Sequence, residues 1–171
     1  MAVSALAGCA TTGRTAGDCY SHIYFDERYA IRGAAGPLPE QAARGPCYRF
    51  THSPDGRVTR IDYRQNGQPA ADPVLGVAAI LIQQVEGAEQ RTYLNANGRP
   101  APDANGVYAV RLRYDARGYP IEWRSLDAAG RPIEAKASGL AAVRWLYDDK
   151  GRILTTLMFD RHGAPVTTRR P

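Results

Sequence analysis

Four times along this chain, a pair of glycines eleven or twelve residues apart brackets the same alternating run. The pairs are Gly56/Gly67, Gly87/Gly98, Gly118/Gly130 and Gly151/Gly163, and the first glycines advance by 31, 31 and 33 residues. The cleanest copies start at Gly106 and Gly139. A unit this short cannot close a core alone, so it buries its apolar side against its neighbours, and the period predicts stacked supersecondary units. The 171 residues suffice for one domain with a real core.

Each unit reads as two strands. Val110, Leu112 and Tyr114 alternate with Arg111 and Arg113, the period-2 pattern of a half-buried strand. Asp115-Ala-Arg-Gly118 follows, then a second run from Ile121 to Leu126 and a second turn, Asp127-Ala-Ala-Gly130. In D-x-x-G the carboxylate accepts backbone N–H groups two or more residues on, and glycine takes the left-handed conformation that closes the turn. Asn95/Gly98, Asp148/Gly151 and Asp160/Gly163 repeat the spelling. Alanine at Gly118 or Gly151 should therefore be costly, and alanine at Gly33 or Gly36 less so. Between units run short segments in which proline follows the turn glycine and ends the strand.

These features predict an all-β fold: an antiparallel repeat meander of four two-stranded units behind a short irregular N-terminal cap. Residues 1–18 read as a signal-peptide remnant and tether, 19–44 as the cap, 45–166 as the β-hairpin repeat domain and 167–171 as a tail. Within the cap, Pro39–Arg44 is the best candidate for a short helix. Parity counted from each turn puts Leu94, Tyr114, Leu126, Tyr147 and Phe159 on one face, with Leu112 and Trp145 two residues before Tyr114 and Tyr147. The same count puts Arg111, Arg113 and Arg144 on the other face and sets Trp123 among them.

Leu6-Ala7-Gly8-Cys9 resembles the lipobox of bacterial lipoproteins, in which cleavage before the cysteine leaves it as the lipidated first residue. The resemblance implies lipidation at Cys9 and attachment to the cell envelope, with Ala10 pointing to the outer membrane and a periplasmic face. Cys19 and Cys47 then remain. They are either a disulfide pair, which an oxidising compartment would form, or two buried thiols. A bridge would stabilise the fold by roughly 3–4 kcal/mol in the chain-entropy model.

Tyr114-Asp115-Ala-Arg-Gly118 and Tyr147-Asp148-Asp-Lys-Gly151 resemble the tyrosine-aspartate (YD, RHS-type) repeats of bacterial surface and toxin-associated proteins, over roughly residues 45–166. The resemblance implies a β scaffold and supplies no catalytic residues.

A search for chemistry finds no G-x-S-x-G, H-E-x-x-H or phosphate-binding loop, and the repeated aspartates read as turn formers rather than calcium ligands. No catalytic residue, metal site or cofactor is assigned. The net charge of +5 is spread through the repeats without a basic tail, so no nucleic-acid partner is expected. The expected contact residues are Trp123 with Arg111, Arg113 and Arg144, an aromatic-plus-arginine composition suited to a protein partner. The leading expectation is a non-enzymatic, lipid-anchored envelope protein that binds another protein, in an immunity or assembly role. The alternatives are a cytosolic antitoxin or adaptor of the same fold and, behind it, a glycan-binding module.

Overall fold

The computed structural model describes residues 18–34, 37–39 and 44–167. Cys9 and its tether, Gly36, residues 40–43 of the expected helix and residues 168–171 lie outside these. The fold is all-β with antiparallel pairing throughout. The first strands are β1 (Cys19–Tyr20), β2 (His22–Phe25) and β3 (Ile31–Ala34). Next come β4 (Cys47–His52), β5 (Val58–Gln65), the two-residue β6 (Gln68–Pro69), β7 (Ala79–Val85) and β8 (Ala88–Leu94). The last four are β9 (Ala109–Tyr114), β10 (Pro120–Leu126), β11 (Ala142–Tyr147) and β12 (Ile153–Phe159). One sheet runs in the order β1-β4-β5-β7-β8-β9-β10-β11-β12, with β6 beside β5, while β2 and β3 form a separate hairpin.

The turns follow from their aspartates. Asp115 Oδ1 accepts the N–H groups of Arg117 and Tyr119 at 3.0 and 2.9 Å, and the Gly118 N–H donates to the Asp115 carbonyl at 3.0 Å. Gly118 has φ 82°, the left-handed region that an L side chain rarely adopts. Asn95, Asp127, Asp148 and Asp160 bind their turns in the same way. Two hairpins are tighter: β5–β6, which turns on Asn66 and Gly67 with φ 52° and 74°, and β7–β8. The latter turns on Glu86 and Gly87 with φ 52° and 75°, as a two-residue loop between right-twisted strands requires.

Three hairpins carry one extra residue each. Register shifts fall between Thr51 and His52, between Pro120 and Glu122, and between Leu146 and Tyr147. Because the side-chain period is 2, each bulge turns over the parity of the strand beyond it. Sequence parity therefore misplaces part of the second strand. Trp123 lies opposite Leu112 and Val143, Arg124 opposite Arg111 and Leu126 opposite Ala109. Leu126 and Tyr114 consequently do not share a face.

The apolar front face carries the core: Phe50, Ile61, Ile80, Tyr93, Val110 and Leu112, all buried, with Trp123 packed against them. A single sheet cannot seal such a face, and the N-terminal residues complete it. The expectation of an irregular cap is corrected here. The β2–β3 hairpin lies over the front face with Ile31 in the core and Ile23 and Tyr29 against it. The Cys19–Cys47 disulfide, with Cα atoms 5.7 Å apart, joins β1 to the strand it pairs with.

The glycines separate into testable classes. Nothing stands near a Cβ added to Gly130, so Gly130→Ala suffers only the left-handed strain, about 1 kcal/mol. A Cβ on Gly151 also meets the Tyr119 ring, so Gly151→Ala should lose about 2 kcal/mol or more. Gly33 corrects the sequence expectation: the Tyr20 ring rests on it, and alanine there forces that ring away at about 1–3 kcal/mol. Urea unfolding of the three variants should rank Gly130→Ala mildest.

The turn carboxylates make a second expectation. Bonds from backbone N–H groups, first those of Tyr119, Arg131 and Arg152, hold Asp115, Asp127 and Asp148 below the usual carboxylate range. A depressed folded pKa stabilises above the unfolded value, about 3.9, and that stability is lost as pH falls through the lowered folded value. The melting temperature should therefore drop on acidification from about pH 5 to pH 3. The triple Asp→Asn variant at these positions keeps the Oδ1 acceptor, as Asn95 does, and should show a shallower drop.

Candidate binding surface

The front face holds both tryptophans, with an N-terminal aromatic between them. Tyr29 packs on Trp145 at 5.0 Å and on Trp123 at 5.9 Å between ring centroids, and Phe25 meets Trp123 at 6.4 Å. Tyr29 reaches them from the β2–β3 turn, Asp26-Glu-Arg-Tyr29, which is built like the repeat turns. Asp26 Oδ1 accepts the N–H groups of Arg28 and Ala30, both at 2.9 Å, and the Tyr29 N–H donates to the Asp26 carbonyl. Tyr29 thus occupies the glycine position, with φ 58°. A bulky residue there is strained by roughly 1–2 kcal/mol, which the ring contacts must offset.

Arg91 fastens the same turn. It is 2% exposed and stands in the front-face row, across from Ile82 and Val110. Its Nη2 donates to the Tyr29 carbonyl at 2.5 Å, its Nε donates to Glu89 at 2.6 Å, and its guanidinium lies 5.5 Å from the Phe25 ring centroid. Sequence reasoning passed over this residue. The available signal was a charge on β8 at the same strand parity as Tyr93.

Trp123 is therefore not part of an arginine surface. It is half-buried under Phe25 and Tyr29, on the opposite face from Arg111, Arg113 and Arg144. What is left open beside it is a recess of about 250 Å³ lined by Val110, Ser125, Leu140 and Ala141 as well as the indole. That volume suits one apolar side chain better than a drug-sized ligand.

The back face gathers the three expected arginines and a fourth. Glu122, on β10, sits opposite both Arg113 on β9 and Arg144 on β11. The glutamate is 8% exposed and holds Arg144 at 2.6 Å and Arg124 at 2.9 Å. Arg111 donates to Gln90 at 2.9 Å and lies 3.8 Å from the exposed Glu86. Arg113 is exposed and makes no ion pair among the described residues. Arg111, Arg113, Arg124 and Glu122 line a shallow groove of about 280 Å³ floored in part by Leu126. Four guanidinium groups thus face two carboxylates, leaving a positive potential on a ledge with apolar footing.

Among the described residues, no group of three or more His, Cys, Asp or Glu side chains is placed to hold a metal ion. Among the same residues, no helix is long and apolar enough to cross a membrane. No family model, curated protein or solved structure matches the chain.

The Tyr29 wedge has a distinguishing test. Tyr29→Ala removes the ring and keeps the strain, whereas Tyr29→Gly removes both and should be the more stable variant by about 1 kcal/mol. In single-tryptophan forms of either variant, Trp123 and Trp145 should both become more accessible to iodide. A gain at Trp123 alone would show that Tyr29 does not cover Trp145.

Proposed function

We propose that this chain is a non-enzymatic lipoprotein of the bacterial envelope, built from four two-stranded repeat units, that binds an acidic protein partner on its arginine-rich back face. The observation that carries the reading is the arrangement of Arg111, Arg113, Arg124 and Arg144 around the single buried carboxylate of Glu122. Two of the four are held in place by that carboxylate with their side chains about half exposed, while Arg113 makes no ion pair among the described residues. Arginine forks fixed on a rigid sheet lose little freedom on meeting a carboxylate, so such a ledge favours acidic side chains of a partner.

The anchoring half of the reading rests on Leu6-Ala7-Gly8-Cys9, and the disulfide between Cys19 and Cys47 supports it, since such bonds persist in oxidising compartments. A lipid on Cys9 would tether the domain through residues 10–17 to the outer membrane, facing the periplasm. An immunity or assembly role fits a binding scaffold of this kind.

The test separates address from contact. The gene with its native upstream sequence should yield a product that incorporates radiolabelled palmitate and partitions into detergent, and Cys9→Ser should abolish both. Unchanged membrane association of Cys9→Ser would overturn the lipoprotein reading. For the contact, Arg113→Ser leaves the Glu122 pairs intact, so folding should be unaffected; Arg113→Glu sets a second carboxylate across from Glu122, so its melting temperature is measured alongside. Partner capture from the envelope fraction should fall with Arg113→Ser, fall further with Arg113→Glu, and weaken as salt rises. A partner retained equally by wild type and Arg113→Glu would place the contact elsewhere.

A further inference from the structure

The two ends of the large sheet are treated differently. At one end, β4 is covered by β1, a strand of only two residues tied down by the Cys19–Cys47 disulfide. The Phe50 N–H donates to the Asp18 carbonyl, and the Leu38 N–H covers the far side of β1 at the Cys19 carbonyl. At the other end β12 has no strand on its outer side among the described residues.

Apart from the bulge at Leu154, the residues of β12 do nothing to protect that edge. Ile153-Leu-Thr-Thr-Leu-Met-Phe159 contains no charge and no proline, and Leu154 is 68% and Leu157 45% exposed. Natural edges normally carry lysines, prolines or inward charges that forbid further pairing, and a flat uncharged edge invites it.

The backbone shows what the edge is prepared for. In the earlier units, the N–H groups of Tyr63, Tyr93 and Ser125 donate to the carbonyls of Ala78, Tyr108 and Ala141, at the head of the next strand. Met158 is the corresponding residue of the last unit. Its carbonyl accepts the Val166 N–H at 2.8 Å as the chain folds back, just as the Ser125 carbonyl accepts from Ile133. Its N–H has no incoming strand. The Phe159 carbonyl points inward to the Ala141 N–H, so antiparallel alternation turns Leu154, Thr156 and Met158 outward.

We infer that β12 is the pairing edge of a two-fold symmetric dimer, in which two copies of this chain continue one sheet through antiparallel β12–β12 contact. The occupant is a second copy because the opposite end is closed. Head-to-tail addition needs a free β4, and β1 with its disulfide removes it, so the open edge of one copy finds only the open edge of another. Like-with-like pairing about a two-fold axis closes at two and forms no filament. The strand is self-complementary when Thr156 faces its own copy. Met158 then lies across from Leu154 and Leu157 across from Thr155, with no charge anywhere along the seam. Thr156 exchanges both backbone bonds with its counterpart, and each Met158 N–H meets the Leu154 carbonyl of the other copy. This inference is independent of the arginine face and of the lipid.

Sedimentation equilibrium of the full chain carrying Cys9→Ser should give a concentration-dependent mass reaching two chains. Thr156→Pro removes only an outward N–H, so it should leave the melting temperature unchanged and reduce the mass to one chain at every concentration. Thr156→Cys tests the same seam without relying on the folding of the proline variant. Cα atoms of a bonded antiparallel pair lie about 5.5 Å apart, within disulfide range, so mild oxidation should give a two-chain product. Thr51→Cys, at an exposed position of β4 at the other end of the sheet, should not. A single-chain mass at all concentrations, a dimer that survives Thr156→Pro, or equal cross-linking of Thr51→Cys and Thr156→Cys would each overturn the inference.

Discussion

The bond from Arg91 to the carbonyl of Tyr29 is the contact on which the closed front face depends. An open antiparallel sheet with one apolar face has no stable existence in water until something covers that face. Here the cover is a four-residue-per-strand hairpin whose own sheet is too small to fold alone. It is held by a disulfide at its root and, at its tip, by one buried guanidinium and a tyrosine set between two indoles. Glu89, the carbonyl and the Phe25 ring replace part of the water that Arg91 loses in the core, while its Nη1 has no hydrogen-bond partner among the described residues. Removing one partner from such a buried ion group typically destabilises by about 3–5 kcal/mol.

Strain at Tyr29 belongs to the same economy of contacts. The turn Asp26-Glu-Arg-Tyr29 has the hydrogen bonds of the repeat turns but lacks their glycine. A glycine would be easier on the backbone and would leave a hole between Trp123 and Trp145. The ring contacts outweigh the left-handed conformation because both indoles are otherwise open to solvent on that side.

With most of the front face covered, the exposed arginines lie on the back. The β-bulge between Pro120 and Glu122 decides what stands there. Without the extra residue Trp123 would face Arg111; with it, Glu122 enters the arginine row and Trp123 joins Leu112. One inserted residue thus converts a mixed aromatic-cation patch into two surfaces, one apolar and covered, one cationic and exposed.

Much of the architecture is readable in the residues themselves. The all-β class, the turn chemistry of Asp115, Asp127 and Asp148, and the burial of Trp145 follow from local rules: alternation, an acceptor at the first turn position and glycine at the last. Those rules act over a few residues, so the chain states them directly. The face of Trp123, the fit of Tyr20 on Gly33 and the engagement of Arg91 by Tyr29, 62 positions away, follow no local pattern. A bulge is invisible in an alternation count because it changes register only relative to a partner strand. Coverage of the front face is set by which distant segment reaches it. The sequence by itself determined strands and turns; only the tertiary structure decided which face is covered and which is exposed, because parity and burial are properties of paired strands and not of single ones.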